Sequence, residues 1–374
     1  MEVTGPRNAF DVAIVGAGPA GSTLAALLAK RGASVALIDR DSFPRDKVCG
    51  EFLSYDALPI ADRFGLDLGD APTITRCRIV ARRRTFEFDF PSAARGISRL
   101  RLDALLVRNA AAAGAQVLEG CHAVSIACDL VRTDRVQTGR GEIRARVVVG
   151  AWGRWGRFDQ QLNRTFATDK SRRNFGFKRH YRALRTAHRE LIELYAFDRG
   201  YVGVSSIENG ETNICGLVHA SRLAGHKGKW DAFIDEIRRE EPHVDAMYAR
   251  YQASQDGFLT SEPVIFRARS AVEHGIFLIG DASGIIDPLT GNGMAMAMQS
   301  AVLAEPFVLD AIAGKRDEER YRRAHHEFFA DRIAWSRRVA ILLSRPALLD
   351  AALAVRPAPS IGEFLLRKTR GTSP

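Results

Sequence analysis

The stretch that most limits what this chain can fold into runs from Phe10 to Asp39, FDVAIVGAGPAGSTLAALLAKRGASVALID. Val12 to Val15 has the length and branched side chains of a buried parallel strand. It breaks off into Gly16, Gly18 and Gly21, the spacing of a dinucleotide-binding turn. Gly16 permits the tight turn, Gly18 lets backbone approach a pyrophosphate, and Gly21 lets the next helix lie close on the strand. That helix is predicted from about Pro19 and Ala20 to Arg31, with proline at its favoured first position and its N–H groups aimed at the phosphates. A second strand, Ser34 to Ile38, delivers Asp39 18 residues after Gly21, where a carboxylate accepts from ribose hydroxyls. Strand, turn, helix, strand and acid arrive in order, which a chance glycine pattern does not supply.

The 374-residue chain is long enough for two lobes. No apolar run approaches the roughly 20 residues that cross a bilayer, and MEVTGPRNAF lacks the apolar segment of a signal peptide, so a cytoplasmic protein is expected. The five cysteines have no short paired spacing, which argues for reduced thiols and against a zinc site or any other metal centre. The net charge of +10 comes from scattered arginines, Arg82 to Arg84, Lys170 to Arg173 and many between Lys315 and Arg338. No nucleic-acid fold signature accompanies them. A solvated basic surface is the plain reading, with attraction of the C-terminal helices to an anionic membrane surface as the alternative.

Period-2 alternation from Ile74 to Phe90 sets Thr85, Glu87 and Asp89 against Phe86, Phe88 and Phe90, the pattern of strands with one buried face. A helix over about 101–113 and a strand over 116–118 return to the first lobe, followed by strands at 122–127, 131–133 and 146–149. The region from about 165 to 270 reads as the second lobe. Its strands are expected at 175–181, 191–196, 201–207 and 213–218, with Asn209-Gly210 as the hairpin turn between the last two. A helical segment over 229–241 closes at Pro242. The second decisive stretch, GIFLIGDASGIIDPLTGNGMAMAMQSA, pairs a buried strand (276–279) with Gly280-Asp281, a glycine-punctuated loop and a helix starting near Gly293. The rest is helical and basic, with a looser tail after Pro357. The expected fold class is α/β (α+β overall): a Rossmann-like domain with an inserted antiparallel-sheet substrate domain and C-terminal helices. The expected division is 1–73, 97–160 and 271–310 for the nucleotide domain, 74–96 and 161–270 for the substrate domain, and 311–374 for the helical end.

Asp281, like Asp39, ends a strand beside a helix start. Two such acids suit a long ligand with two hydroxyl-bearing chains, which is FAD rather than NAD. Asp39 would then meet the adenosine ribose and Asp281 the ribityl chain, while the Gly291–Gly293 loop offers N–H groups to the flavin pyrimidine, where charge builds on reduction. Candidates for an acid or base are Lys47, Cys49, His180, His219, Tyr181 and Asp287, each also readable as an ordinary half-buried residue. Met294, Met296 and Met298 read as adaptable packing.

The opening turn, the loop FPRDKVCGE and the segment GDASGIIDPLTGNG together resemble the FAD-dependent geranylgeranyl-reductase-like proteins, within the wider para-hydroxybenzoate-hydroxylase-type flavoprotein superfamily. The resemblance spans about residues 10–310. It implies a Rossmann-like FAD domain roofed by an antiparallel sheet, with cofactor contacts from Gly16, Gly18, Pro19, Ala20, Gly21, Asp39, Arg40, Arg99, Gly280 and Asp281. It further places Lys47, Cys49 and Gly50 on a loop near flavin and substrate, and Pro288, Gly291 and Gly293 on the isoalloxazine loop. Two departures stand out. The Asp-Gly pair that aromatic hydroxylases carry after the strand ending at Val149 is Trp152-Gly153 here, and an indole cannot accept a hydrogen bond as a carboxylate does. The aromatic stretch common in prenyl reductases appears only as GYVGVSSIENG. The expected activity is that of an FAD-dependent oxidoreductase on a lipophilic small molecule, with NAD(P)H or another donor as reductant. Fold analogy leans it to monooxygenation of a phenolic, polyketide-like or isoprenoid compound. The alternatives are reduction of C=C bonds in a prenyl chain, and a non-catalytic prenyl-lipid or flavin carrier.

Overall fold

A computed structural model describes residues 9–127, 134–154, 157–168, 174–185, 188–226, 228–261, 263–264, 266, 269–355 and 358–370. The predicted strand at 131–133 lies outside them. Ala9–Val15 forms the centre of an eight-stranded sheet. It pairs in parallel with Val35–Ile38 on one side and Gly141–Gly150 on the other. Gln116–Leu118 extends one edge, and Ile276–Leu278 pairs in parallel with Gly141–Gly150 on the other. Because these strands are parallel and buried on both faces, they read as continuous apolar runs rather than alternating ones.

Helices Pro19–Lys30, Arg99–Ala112 and Gly293–Ile312 cover one face, burying Val12, Ile14, Leu24, Leu28, Leu102, Leu106, Met298 and Val308 in one core. The other face is covered by a meander, Ala123–Ala127 and Asp134–Thr138, with Phe158. Gly293–Ile312 is 20 residues long and apolar enough to cross a membrane by composition, contrary to the expectation that no such run exists. Most of it is buried, and it is the central helix of this core. Met294 and Met298 pack inside it, while Met296 packs with Ile286, Phe329 and Ile333 in a separate cluster.

The second sheet has nine strands, ordered Tyr251–Ala253, Asn174–Ala183, Glu211–His219, Gly200–Ser206, Leu191–Phe197, Thr73–Val80, Thr85–Gly96 and Phe52–Leu53, with Leu259–Thr260 also on Asn174–Ala183. The predicted hairpin is present. Asn209 and Gly210 take φ of 59° and 71° within a three-residue connection, Glu208 to Gly210, closed by the Ile207 N–H donating to the Glu211 carbonyl at 2.9 Å. Trp230–Glu240 and Pro242–Tyr248 cover one face, burying Phe233, Ile237, Val244 and Met247 against Phe177 and Val204. Pro242 both ends the first helix and opens the second, as its missing N–H allows.

Two further helices, Glu318–Leu343 and Pro346–Val355, follow the nucleotide domain. Tyr321 is fully buried and donates its hydroxyl to the Leu278 carbonyl at 2.9 Å, which fixes the longer helix to the parallel sheet. The expected loose tail after Pro357 is instead helical over Ala358–Thr369. Gly362 makes this possible: a Cβ there would come within 2.4 Å of the Phe88 ring, so only glycine lets the helix lie against the second sheet. The same logic holds Pro19–Lys30 on the first strand, since a Cβ at Gly21 would fall 1.9 Å from the Gly16 carbonyl oxygen. Gly21→Val is therefore expected to lower the unfolding free energy by about 2 kcal/mol or more, measured by chemical denaturation.

Candidate functional site

Four strand ends line up along the carboxyl edge of the parallel sheet. In register, Ile38 lies beside Val15, Val15 beside Gly150, and Gly150 beside Leu278. Asp39 and Asp281 therefore leave the same edge, three strand spacings or about 14 Å apart, with the glycine turn between them. The turn and the second acidic segment touch: a Cβ at Gly280 would lie 2.9 Å from that of Ala20. This is the crevice in which open α/β sheets bind nucleotides.

The glycines have the expected reasons. Gly16 has φ of 110°, and a Cβ on it would meet the Ala151 carbonyl oxygen at 2.3 Å. Gly18 is the N-cap of the first helix, no side chain caps that helix, and a Cβ at Gly18 would meet nothing within 4 Å. The first-turn N–H groups thus face open space of the kind a pyrophosphate fills. Gly291, at φ 62°, closes the Pro288–Thr290 turn, and the helix beginning at Gly293 likewise has no side-chain cap. The residues present fit FAD, with Gly18, Ala20 and Asp39 at the nucleotide end and Asp281, Gly291 and Gly293 at the flavin end.

Asp39 is 8% exposed. Its Oδ2 accepts from the Ala17 N–H at 2.7 Å and from Arg45 at 3.3 Å, and its Oδ1 from the Asp41 N–H at 3.0 Å. Arg45, which sequence reasoning missed, spans to Asp103 at 3.1 Å. Asp103 in turn takes a bidentate pair of bonds from Arg99 at 2.7 Å each. Burial alone would lower the Arg99 pKa; the Asp103 carboxylate outweighs it and raises it, so this guanidinium stays charged. Asp281 pairs with Arg154 at 3.5 Å, and Arg154 also donates to the Val48 carbonyl at 2.6 Å, which ties the second strand end to the Cys49 loop. Arg40 instead directs its side chain to solvent, 69% exposed, and pairs with Asp41.

The loop carrying Cys49 differs from its sequence reading in its charges. Lys47 is bound to Asp41 at 2.8 Å, and the cation that interacts with the Cys49 side chain is Arg99. The centre of the loop is Glu51, which is fully buried and adopts a φ of 55°. Glu51 Oε1 accepts from Lys178 at 2.6 Å and from the Arg99 N–H at 2.7 Å, while Oε2 lies 2.7 Å from His180 Nε2. Lys178, itself fully buried, also donates to Asp46 at 2.5 Å. Burial works to lower the Lys178 pKa, but the two carboxylates prevail and raise it. Glu51 and Lys178 were not singled out from sequence: Lys178 stands among Arg179, His180 and Arg182 of its strand, and nothing local marks it as the fully buried one.

The other acid and base candidates part company. His180 and Tyr181 are neighbours on one strand, so the pleat sends them to opposite faces. His180 meets Glu51, whereas Tyr181 packs on Tyr248 beneath the helices, ring centres 6.0 Å apart. His219 is four residues along its strand from Cys215, which lies against Gly50. It caps a short helix through its Nδ1, which accepts from the Ser221 N–H at 3.3 Å. Tyr181 and His219 are thus structural. Asp287 is buried beside the Gly291 turn, where its Oδ1 accepts from the Leu289 N–H at 3.1 Å. Burial pushes its pKa up to about 7, against the lowering effect of that bond. Trp152 fills the place of the expected acid with its ring turned back against Phe158 and over Gly150.

Between the second sheet and the Gly291 loop lies a cavity of about 60 Å3, partly open to solvent. Its sheet wall is Phe52, Cys77, Ile79, Phe88, Phe90 and Leu194. Leu289 to Gly291 form the floor, and Leu343, Leu366 and Arg370 of the C-terminal helices the far wall. Asn292 donates to the Thr369 carbonyl at 2.7 Å, joining that wall to the flavin loop. Burial pushes the Cys77 thiol in this wall up to about 12, so it is a neutral apolar surface.

A parallel sheet with this crevice and an apolar cavity beyond its flavin end defines a two-lobed flavoprotein. The sequence matches the family model described as FAD binding domain over residues 9–336, and the chain belongs to that family, the FAD-dependent oxidoreductases. A menaquinone reductase of Mycobacterium tuberculosis is 28% identical over 97% of this chain and 88% of its own length. Digeranylgeranylglycerophospholipid reductase 2 of Methanopyrus kandleri is 28% identical over 81% of this chain and 78% of its own, and a tryptophan 2-halogenase of Chondromyces crocatus is 27% identical over 86% and 66%. The structure of a geranylgeranyl bacteriochlorophyll reductase-like protein from Thermoplasma acidophilum superimposes with a TM-score of 0.82, at 20% identity over 96% of both chains.

Two measurements test the site. Lys178→Met leaves Glu51 and Asp46 without their cation and is expected to cost about 3–5 kcal/mol of stability in denaturant titrations. Asp287, protonated more readily in the folded protein than when unfolded, contributes stability that is complete at acid pH and is lost as pH rises through about 7. Asp287→Asn is expected to remove that loss, so its melting temperature gains on that of the wild type as pH rises from 3.8 to about 7 and gains no more above it.

Proposed function

We propose that this protein is an FAD-dependent reductase that saturates a C=C bond of a lipophilic, isoprenoid-like substrate held in the cavity above the Gly291 loop. The observation that carries this reading is the cavity itself: its walls are mostly aliphatic and aromatic side chains, with Thr290, Thr369 and Arg370 the polar residues among them. Such a lining suits an extended apolar chain and offers a phenol little to hydrogen-bond. The two reductases matched most evenly in length, named for menaquinone and for a prenyl lipid, support the same class.

In this reading bound FAD supplies hydride-transfer chemistry, and the chain's own residues bind, orient and exclude water. Gly16, Gly18, Pro19, Ala20, Gly21 and Asp39 would hold the nucleotide half, and Gly280, Asp281, Pro288, Gly291 and Gly293 the flavin half. Arg99 and the loop of Lys47, Cys49 and Gly50 would border the flavin, with Glu51, Lys178 and His180 positioning that loop. Asp287, whose carboxyl titrates near neutrality, is the candidate proton-holding group beside the isoalloxazine loop. The reductant is NAD(P)H or another donor. The chain's passage between the two sheets supports the division into nucleotide, substrate and helical segments expected from sequence.

Monooxygenation of the same substrate is the second reading, favoured by its prevalence in the wider fold. Turnover under labelled oxygen separates the two. The expected product gains two hydrogens and no label; label in the product overturns reduction.

The outer faces of the cavity-lining helices carry exposed Arg337, Arg338 and Arg345 beside exposed Ile341 and Leu348. This supports peripheral contact with an anionic membrane that delivers the substrate. Replacing the three arginines by glutamate is expected to abolish co-sedimentation with anionic liposomes at low salt; a wild-type protein that fails to co-sediment removes the idea.

A further inference from the structure

The cavity's one charged wall is not neutralised. Arg370 stands at its end, and its Nε and Nη1 are buried without a hydrogen-bond partner among the described residues. Its neighbours are the Tyr55 side chain and the ring of Phe52, whose centre lies 6.0 Å from the guanidinium carbon. The nearest carboxylate, Asp56, is engaged through one oxygen, its Oδ1 being buried without a hydrogen-bond partner among the described residues. Its Oδ2 accepts from Arg332 at 3.4 Å and from Gln299 at 3.5 Å, and Arg332 is anchored on Gln299 Oε1 at 3.0 Å. Two buried guanidinium groups thus share one carboxylate. Burial drives the Arg370 pKa down, and Asp56 opposes this only in part. Burial raises the Tyr55 pKa, so its hydroxyl remains a neutral neighbour and does not balance the charge. A buried cation with unmet donors is costly unless something pairs with it. Among the described residues no further carboxylate pairs with it, and the open space in front of it is the cavity.

We propose that Arg370 is the head-group contact of this cavity, and that the substrate is an amphiphile whose apolar chain lies along the phenylalanine wall while an anionic oxygen group, carboxylate or phosphate, meets the guanidinium. This rests on the cavity being the substrate site. An anion satisfies both the charge and the free donors, whereas a neutral carbonyl or alcohol satisfies only a hydrogen bond. Arg370 is then what distinguishes a lipid acid or lipid phosphate from the uncharged hydrocarbon of the same length.

The test is calorimetric titration of the FAD-loaded protein with decanoate, decyl phosphate and decanol. At least one anion is expected to bind about tenfold or more tightly than decanol, and the tighter of the two anions identifies the head group. Arg370→Met is expected to erase the preference while decanol affinity stays within about twofold, and Arg370→Lys to retain part of it. Equal affinities for anions and alcohol in the wild type overturn the assignment with no variant needed, as does a preference that survives in Arg370→Met. Failure of all three ligands to bind overturns the cavity as substrate site as well, whereas decanol binding without an anion advantage removes only the role of Arg370.

Discussion

The two sheets are joined through a carboxylate that has no access to water. Glu51 receives the Lys178 ammonium and faces the His180 ring of the second sheet, and it also receives the N–H of Arg99 at the start of a nucleotide-domain helix. Removing a charge from water costs several kcal/mol, recovered only with close partners on every side. This arrangement therefore tolerates little displacement of one lobe against the other. The left-handed backbone of Glu51, unfavourable for a residue with a Cβ, is held by those same partners. Cys49 and Gly50 stand where they do because the next residue is fixed.

A second chain of charge runs beside it. Arg99 grips Asp103, Asp103 holds Arg45, and Arg45 reaches Asp39 at the mouth of the nucleotide crevice. Asp39 is thereby oriented by groups from three parts of the sequence before any ligand arrives. Preorganisation of this kind lowers the ordering cost of binding. At the other end Arg154 links Asp281 to the backbone of Val48, so the flavin end of the crevice and the Cys49 loop share a support. The buried Arg164–Asp159 pair adds to it, with Arg164 donating to the Ala282 carbonyl at 2.8 Å.

The apolar cavity depends on elements distant in sequence. Its sheet wall uses one face of a hairpin whose alternation was plain, Phe86, Phe88 and Phe90. Its far wall comes from a helix that the composition after Pro357 did not announce. Gly362 lets that helix approach Phe88, and Asn292 anchors its end to the flavin loop. A missing side chain at Gly362 and a single hydrogen bond thus help convert an open sheet face into a partly covered cavity.

Local sequence determined the nucleotide half of this protein. A parallel strand, three glycines with separate steric duties, a proline-started helix and a strand-end acid are constraints satisfied within about 30 residues, so they can be read in order along the chain. The hairpin at Asn209-Gly210 was legible for the same reason, since positive φ at both turn positions is a local demand. Only the tertiary structure decided which charges meet. Lys47, two residues before Cys49, turned to Asp41, while Arg99, 50 residues beyond Cys49, took its place. His180 and Tyr181 were separated by a pleat, and Lys178 and Glu51, unremarked as letters, became the buried centre. Backbone geometry is specified by neighbours along the chain, whereas the partner of a buried charge is specified by whatever folding brings within about 3 Å of it.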